Sequence, residues 1–205
     1  FRSDKEGTKA LALEEWARAQ GRAFLRFDYS GHGASSGRFE DGAIGDWFED
    51  ARAAILTLAE GPQILVGSSM GGWLSLLLAR DHPEKVAGLV TIAAAPDFTE
   101  SLWAEMTEEE RGDLTARGRV ERPSDYAPEP YVFTRRLIEE ARGRLIFDRP
   151  LELAMPVRLL QGSADADVPQ AVALRLFEHL RGPDVRLTLV KGADHRFSTP
   201  DCLRQ

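Results

Sequence analysis

Short apolar runs alternate along this chain with stretches of helical period, and that alternation admits few architectures. Residues 63–66 and 86–94 are apolar runs of strand length, the second apolar on both faces. Residues 70–80 between them have the length and composition of a buried helix. Upstream, Ala10, Leu13, Trp16 and Ala17 recur at helical spacing within residues 9–20, and Gly21 follows as a stop. Trp47, Ala51, Ala54, Ile55 and Leu58 share one face of a second helix over 46–59. The rhythm returns late, with strands at 157–160 and 185–190 around a helix at 169–180. Such alternation builds βαβ units on a parallel sheet, so the fold class is α/β. Residues 22–27 read as one more short strand, closed by the turn-rich segment 28–37.

Size and charge narrow the function. A chain of 205 residues buries a substantial core as one domain. The net charge of −7 excludes a protein that tracks a nucleic-acid backbone. The longest apolar runs, at 74–79 and 86–95, are far short of a membrane span. The single cysteine, Cys202, makes no internal disulfide, and no basic-then-apolar leader opens the sequence. Both fit a cytoplasmic protein. Only Lys5, Lys9, Lys85 and Lys191 are lysine among 26 basic residues, which reads as genome composition without functional content.

Residues 97–150 interrupt the rhythm. They hold an acidic run at Glu108-Glu109-Glu110 and prolines at 123, 128 and 130. Helical pieces are expected near 99–116 and 131–142, and no strand. The reading is a core of residues 1–96 and 151–205 with a helical lid, 97–150, inserted between two of its strands.

The strongest chemical signal is Gly67-Ser68-Ser69-Met70-Gly71, placed after one strand and before the next helix. A sharp strand-to-helix turn presents a nucleophilic serine, and it needs small residues two before and two after that serine. Ser69 has Gly67 and Gly71 there, whereas Ser68 would have Val66 and Met70. Ser69 is therefore the candidate nucleophile.

A serine hydroxyl needs a base, and the base an orienting acid. His82 reads as a surface turn, His179 as a packing or capping residue late in a helix, and His32 precedes the nucleophile. His195, in the polar loop after the last strand, is the candidate base. The acid belongs in the loop after the 157–160 strand, where Asp165 and Asp167 both qualify. Asp194 reads as structural. Two backbone N–H groups should form an oxyanion hole: that of Met70, after the nucleophile, and that of Phe1, in the loop Phe1-Arg2-Ser3-Asp4. No His/Cys pairing has metal-ligand spacing, and Gly31-x-Gly33 lacks the rest of a dinucleotide fingerprint, so no metal and no cofactor is expected. Trp103, Met106, Tyr126, Tyr131, Phe133 and Phe147 are candidates to line an acyl pocket, though each alone is better explained by packing.

These motifs resemble those of an α/β-hydrolase over essentially the whole chain. They are Phe1-Arg2-Ser3-Asp4, Asp28-Tyr29-Ser30-Gly31-x-Gly33-x-Ser35, Gly67-x-Ser69-Met70-Gly71-Gly72-Trp73, Gly162-x-x-Asp165-x-x-Val168-Pro169 and Asp194-His195. More narrowly, residues 7–33 and 61–77 resemble the mitochondrial abhydrolase-domain acyl-protein thioesterases and their bacterial relatives. The animal enzyme also hydrolyses the acyl glucuronide of mycophenolic acid. The resemblance implies a mostly parallel sheet flanked by helices, and a serine hydrolase acting on a small-molecule or acyl-chain ester or thioester. It assigns the acid to Asp165 and the first oxyanion N–H to Phe1. A peptidase or C–C hydrolase with the same triad, or a non-catalytic binding protein, are the alternatives. The family's sheet starts with strands ahead of the oxyanion loop. This chain has none of them and lacks most of the closing helix. A sheet cut there exposes a long edge, so the chain reads as a piece of a longer protein.

Overall fold

The computed structural model describes residues 1–123 and 130–205. Helix α1 (Thr8–Ala19) and helix α2 (Ile44–Leu58) precede the first strand, β1 (Gln63–Ser68). Then come α3 (Met70–Asp81), β2 (Val86–Ile92), α4 (Phe98–Glu105), α5 (Glu108–Arg117) and strands β3 (Arg119–Arg122) and β4 (Tyr131–Thr134). Helix α6 (Arg135–Ala141), β5 (Leu151–Glu152), β6 (Val157–Gly162), α7 (Gln170–His179), β7 (Leu180–Arg181), β8 (Val185–Val190) and α8 (Pro200–Leu203) complete the order.

The main sheet runs β1-β2-β6-β8, every pair parallel. One row crosses it through Ser68, Ile92, Leu160 and Thr188. Parallel neighbours need crossovers, and α3 and α7 supply them between β1 and β2 and between β6 and β8. Helix α3 is buried nearly all round, from Met70 through Ala79, which is why its sequence shows no polar face. Its Trp73, Leu74, Leu76 and Leu77 join Ile44 and Trp47 of α2 and Leu89, Val157 and Leu159 of the sheet in one core.

Two expectations need correction. Residues 22–27 form no strand; Phe24 and Leu25 are 39% and 44% exposed. A strand exists only through its ladder, and no described strand lies beside this segment. The same lack of a neighbour leaves β1 at the sheet's edge, with Ile64 60% and Val66 40% exposed.

The second correction lies in the insertion between β2 and β6, which is not wholly helical. Strands β3 and β4 pair antiparallel, Val120 facing Phe133, so the helix expected at 131–142 starts only at Arg135. Thr134 begins it, its hydroxyl accepting from the Leu137 N–H at 3.1 Å. The acidic run at 108–110 opens α5. Thr107 and Glu110 cap each other there, and Arg122 of β3 grips Glu110 at 2.8 Å. The insertion has its own small core of Leu102, Met106, Leu114, Val120 and Ile138. Among the described residues no helix is long and apolar enough to cross a membrane.

Candidate active site

Ser69 stands between β1 and α3 at φ 54° and ψ −120°, a conformation that costs a non-glycine residue energy. The turn is pinned to the end of β2: Ser69 N–H donates to Ile92 O at 2.9 Å, and Ala95 N–H to Ser69 O at 3.1 Å. Such strain persists only where the surroundings over-determine it, and strand-to-helix turns that expose a nucleophile have this geometry.

The glycines around this turn are not equivalent. A Cβ on Gly67 would lie 2.2 Å from Gly71 O and 2.5 Å from Ser75 Oγ. One on Gly72 would lie 2.7 Å from Ala94 Cβ. One on Gly71 would meet only Tyr29 Oη, at 4.0 Å. The position two after the serine therefore has room, and the tight downstream position is the third. Gly67→Ala should lower stability by about 1–3 kcal/mol through overpacking. Gly71→Ala should be neutral or stabilising, since alanine is favoured in a helix by up to about 1 kcal/mol. Thermal melting of the two variants checks the contrast.

Asp165 follows β6 and His195 follows β8, so both loops leave the same rim of the sheet as Ser69. His195 Nδ1 lies 3.0 Å from Asp165 Oδ2, with the Asp165 side chain fully buried and the imidazole 19% exposed. Oδ2 also accepts from Gln161 Nε2 at 3.0 Å, and Oδ1 from the N–H groups of Asp167 and Val168 at 3.0 and 2.8 Å. Burial pushes the Asp165 carboxyl up, but His195 and the Val168 N–H outweigh it and hold the group below its usual range. It is thus an anion at neutral pH. With Nδ1 committed to Asp165, Nε2 is the imidazole nitrogen left to exchange a proton. Asp165, Asp167 and His195 bring ligand-type atoms within 4.8 Å of one another. The four donors on Asp165 already use its lone pairs, which is the state of an acid–base pair rather than of a metal ligand.

Met70, first in α3, is 2% exposed, and an N–H in the first turn of a helix has no intrahelical acceptor. Phe1 sits among aromatic rings, stacked on Phe133 at 5.5 Å and edge-on to Phe39 at 4.6 Å, with Phe98 and Tyr131 at 5.6 and 6.0 Å. It joins the core to β4 of the insertion. Trp103 and Met106 pack into the insertion's own core, and the guanidinium groups of Arg111 and Arg142 lie over the Trp103 ring. Tyr126 lies outside the described residues. A cleft of about 220 Å³ opens between the segment after β2 and α7, lined by Pro96, Asp97, Glu100, Phe147, Val172 and Arg175. Of the expected pocket residues that are described, Phe147 alone borders it.

The other histidines take bland places. His179 meets Ile146 O at 2.8 Å, Arg52 Nε donates to His82 Nε2 at 3.1 Å, and His32 is buried between Phe39 and Trp47. Asp194 accepts from the Phe197 N–H at 3.0 Å.

Two supporting residues escaped the sequence reading. Gln161 is fully buried and braces Asp165 while bonding Val168 O at 2.9 Å. Its signal was a lone amide at the end of an apolar strand. Asp28 accepts from Lys5 N–H at 2.6 Å and Ala34 N–H at 3.0 Å, tying the loop after Phe1 to the glycine-rich turn. Its signal was only its place in the motif.

Comparison with known proteins agrees with this fold. The pattern of the family described as serine aminopeptidase, S33 (Hydrolase_4) matches residues 8–132. The human mitochondrial palmitoyl-protein thioesterase ABHD10 is 39% identical over 197 residues, covering 96% of this chain and 64% of its own length. The rat protein of the same name is 39% identical over 201 residues, with 96% and 66% covered. The chain thus spans roughly two thirds of these curated relatives. Among solved structures, a putative hydrolase from Agrobacterium vitis S4 superposes with TM-score 0.94 at 47% identity, covering 100% of this chain and 81% of that one. Mouse α/β-hydrolase domain-containing protein 10 gives 0.91 at 36%, covering 100% and 82%. With its parallel sheet, its serine turn and these relatives, the chain belongs to the α/β-hydrolases, within the family described as serine aminopeptidase, S33.

Proposed function

We propose that this protein is a serine hydrolase that cleaves carboxylic esters or thioesters through Ser69, His195 and Asp165. The observation that carries the reading is the buried Asp165–His195 pair, on the same sheet rim as the strained Ser69 turn. Ser69 Oγ attacks the acyl carbonyl while His195 Nε2 takes its proton. The N–H groups of Met70 and Phe1 hold the oxyanion, a contribution that is often the largest single one. The tetrahedral species collapses, and His195 returns the proton to the leaving thiol or alcohol. Water then attacks the acyl-enzyme, giving its proton to His195, and Ser69 is regenerated with release of the acid. Asp165 stays anionic throughout and keeps Nδ1 protonated.

The substrate class follows from the relatives named palmitoyl-protein thioesterase. The insertion would act as a lid, with Tyr131 and Phe133 facing Phe1 across its join with the core. Each buried methylene of an acyl chain gains about 0.8 kcal/mol. The kcat/KM for p-nitrophenyl esters and acyl-thioester peptides should therefore rise over several carbons and then level off. A profile that falls from acetyl onward would overturn the acyl-chain reading.

The family description favours one second reading, an aminopeptidase. An aminoacyl amide cleaved faster than every ester and thioester would establish it. The lone buried Cys202 fits any reducing compartment. The cytoplasmic placement expected from the sequence must be set beside curated relatives that are mitochondrial and a structural relative that is bacterial.

A further inference from the structure

Lys9 is one of only four lysines in a chain whose other Lys/Arg residues are arginine, and it reaches from α1 to the His195 loop. It lies in the first turn of α1, partly buried, and its ammonium donates to the carbonyl oxygen of Arg196, 187 positions away. We propose that Lys9 is a positioning residue for His195, fixing the downstream side of its loop. The proposal rests on the catalytic reading above.

The argument is one of anchors. Upstream of His195 the loop is tied to the acid loop: Gly192 N–H donates to Ser163 Oγ at 2.8 Å, and Ala164 N–H to Ala193 O at 3.0 Å. Downstream, Phe197 is buried at φ 51°, and its N–H turns back to Asp194. That bond is internal to the loop and fixes its shape rather than its place. Phe197 packs against Ile92 of β2, and the hydrogen bond from Lys9 adds a polar tie from this half to α1. His195 thus sits between polar ties to the loop after β6 on one side and, on the other, the apolar seat of Phe197 and the polar tie to α1. A backbone carbonyl would accept from any donor, but this donor carries charge. The charged groups around it are Asp194 and Arg196 of the same loop and Asp165 of the acid loop. Burial works against the ammonium and pushes its pKa down; Asp194, and more weakly Asp165, work to keep it charged. Lys5, by contrast, pairs with its neighbour Glu6.

Misplacing a catalytic group by about 1 Å costs on the order of 100-fold in rate. Lys9→Met, which keeps the length and loses donor and charge, should lower kcat by about 10- to 100-fold and leave KM within about threefold. Lys9→Arg, which keeps both, should restore kcat to within about threefold of the parent. A merely structural lysine would give matched losses in melting temperature and active fraction, without that split or that rescue. Lys9→Gln, too short to span the same gap, carries the same expectation and replaces Lys9→Met if that variant melts early. The assays use the full-length protein with His195→Gln alongside. If His195→Gln stays active, the catalytic reading fails. If it is inactive while Lys9→Met, or the Lys9→Gln that replaces it, keeps kcat within about twofold of the parent, the positioning role alone is overturned. Equal kcat losses in the Met and Arg variants overturn it as well.

Discussion

Ser69→Ala should lower kcat by on the order of 10⁶-fold while the protein melts as the parent does. The Ser69 side chain makes no cap hydrogen bond to α3, and the turn is held by the backbone of Ser69 on Ile92 and Ala95. Removing the hydroxyl therefore takes away the attacking atom and nothing that supports the fold. Ser68→Ala sets the scale. Ser68 is the last residue of β1, paired in register with Ile92, and its substitution should cost less than about tenfold. Steady-state assays on an ester and on a thioester check both variants. Comparable losses at the two serines would remove the distinction between them.

Asp165→Asn should lower kcat by about 10⁴-fold, because the amide offers His195 Nδ1 the wrong partner and releases the imidazole tautomer. The carboxylate is buried and accepts from four donors, so one of its bonds must invert or break in the variant. The expected signature is a collapse of kcat with KM little changed. Asp167→Asn should cost less than about tenfold, since Asp167 serves Asp165 through its backbone N–H, which asparagine retains. The residue-level reading left these two aspartates tied, and the resemblance pointed to Asp165. The hydrogen bond between His195 and Asp165 supports that proposal. The opposite ranking in kcat would move the acid two residues along.

What was legible in the sequence was what lies close together in it. The strand at 185–190 coincides with β8. Helix α3 departs from its expected span by one residue, because its burial on nearly all sides leaves a continuous apolar run. The serine turn was legible for the same reason, since strand, glycines and helix occupy one short stretch. Pairings between distant segments were not. Arg119–Arg122 is a charged tetrapeptide, and only its partner Tyr131–Thr134 makes it a strand. Residues 22–27 have strand composition but no described partner, so composition alone misled there. Gln161, Asp28 and Lys9 earn their roles from groups 4, 23 and 187 positions away. The room at Gly71 and the lack of it at Gly72 likewise depend on Tyr29 and Ala94, which no local motif specifies.

The central claim is that an activated hydroxyl sits at Ser69 and is activated by the Asp165–His195 pair. A fluorophosphonate phosphonylates only a serine whose proton has somewhere to go. Labelling the full-length protein, digesting it and mapping the adduct by mass spectrometry tests the claim most directly. One adduct is expected, on Ser69, abolished in Ser69→Ala and slowed by orders of magnitude in His195→Gln. An adduct on Ser68, or labelling that proceeds at the parent rate without His195, would contradict the account.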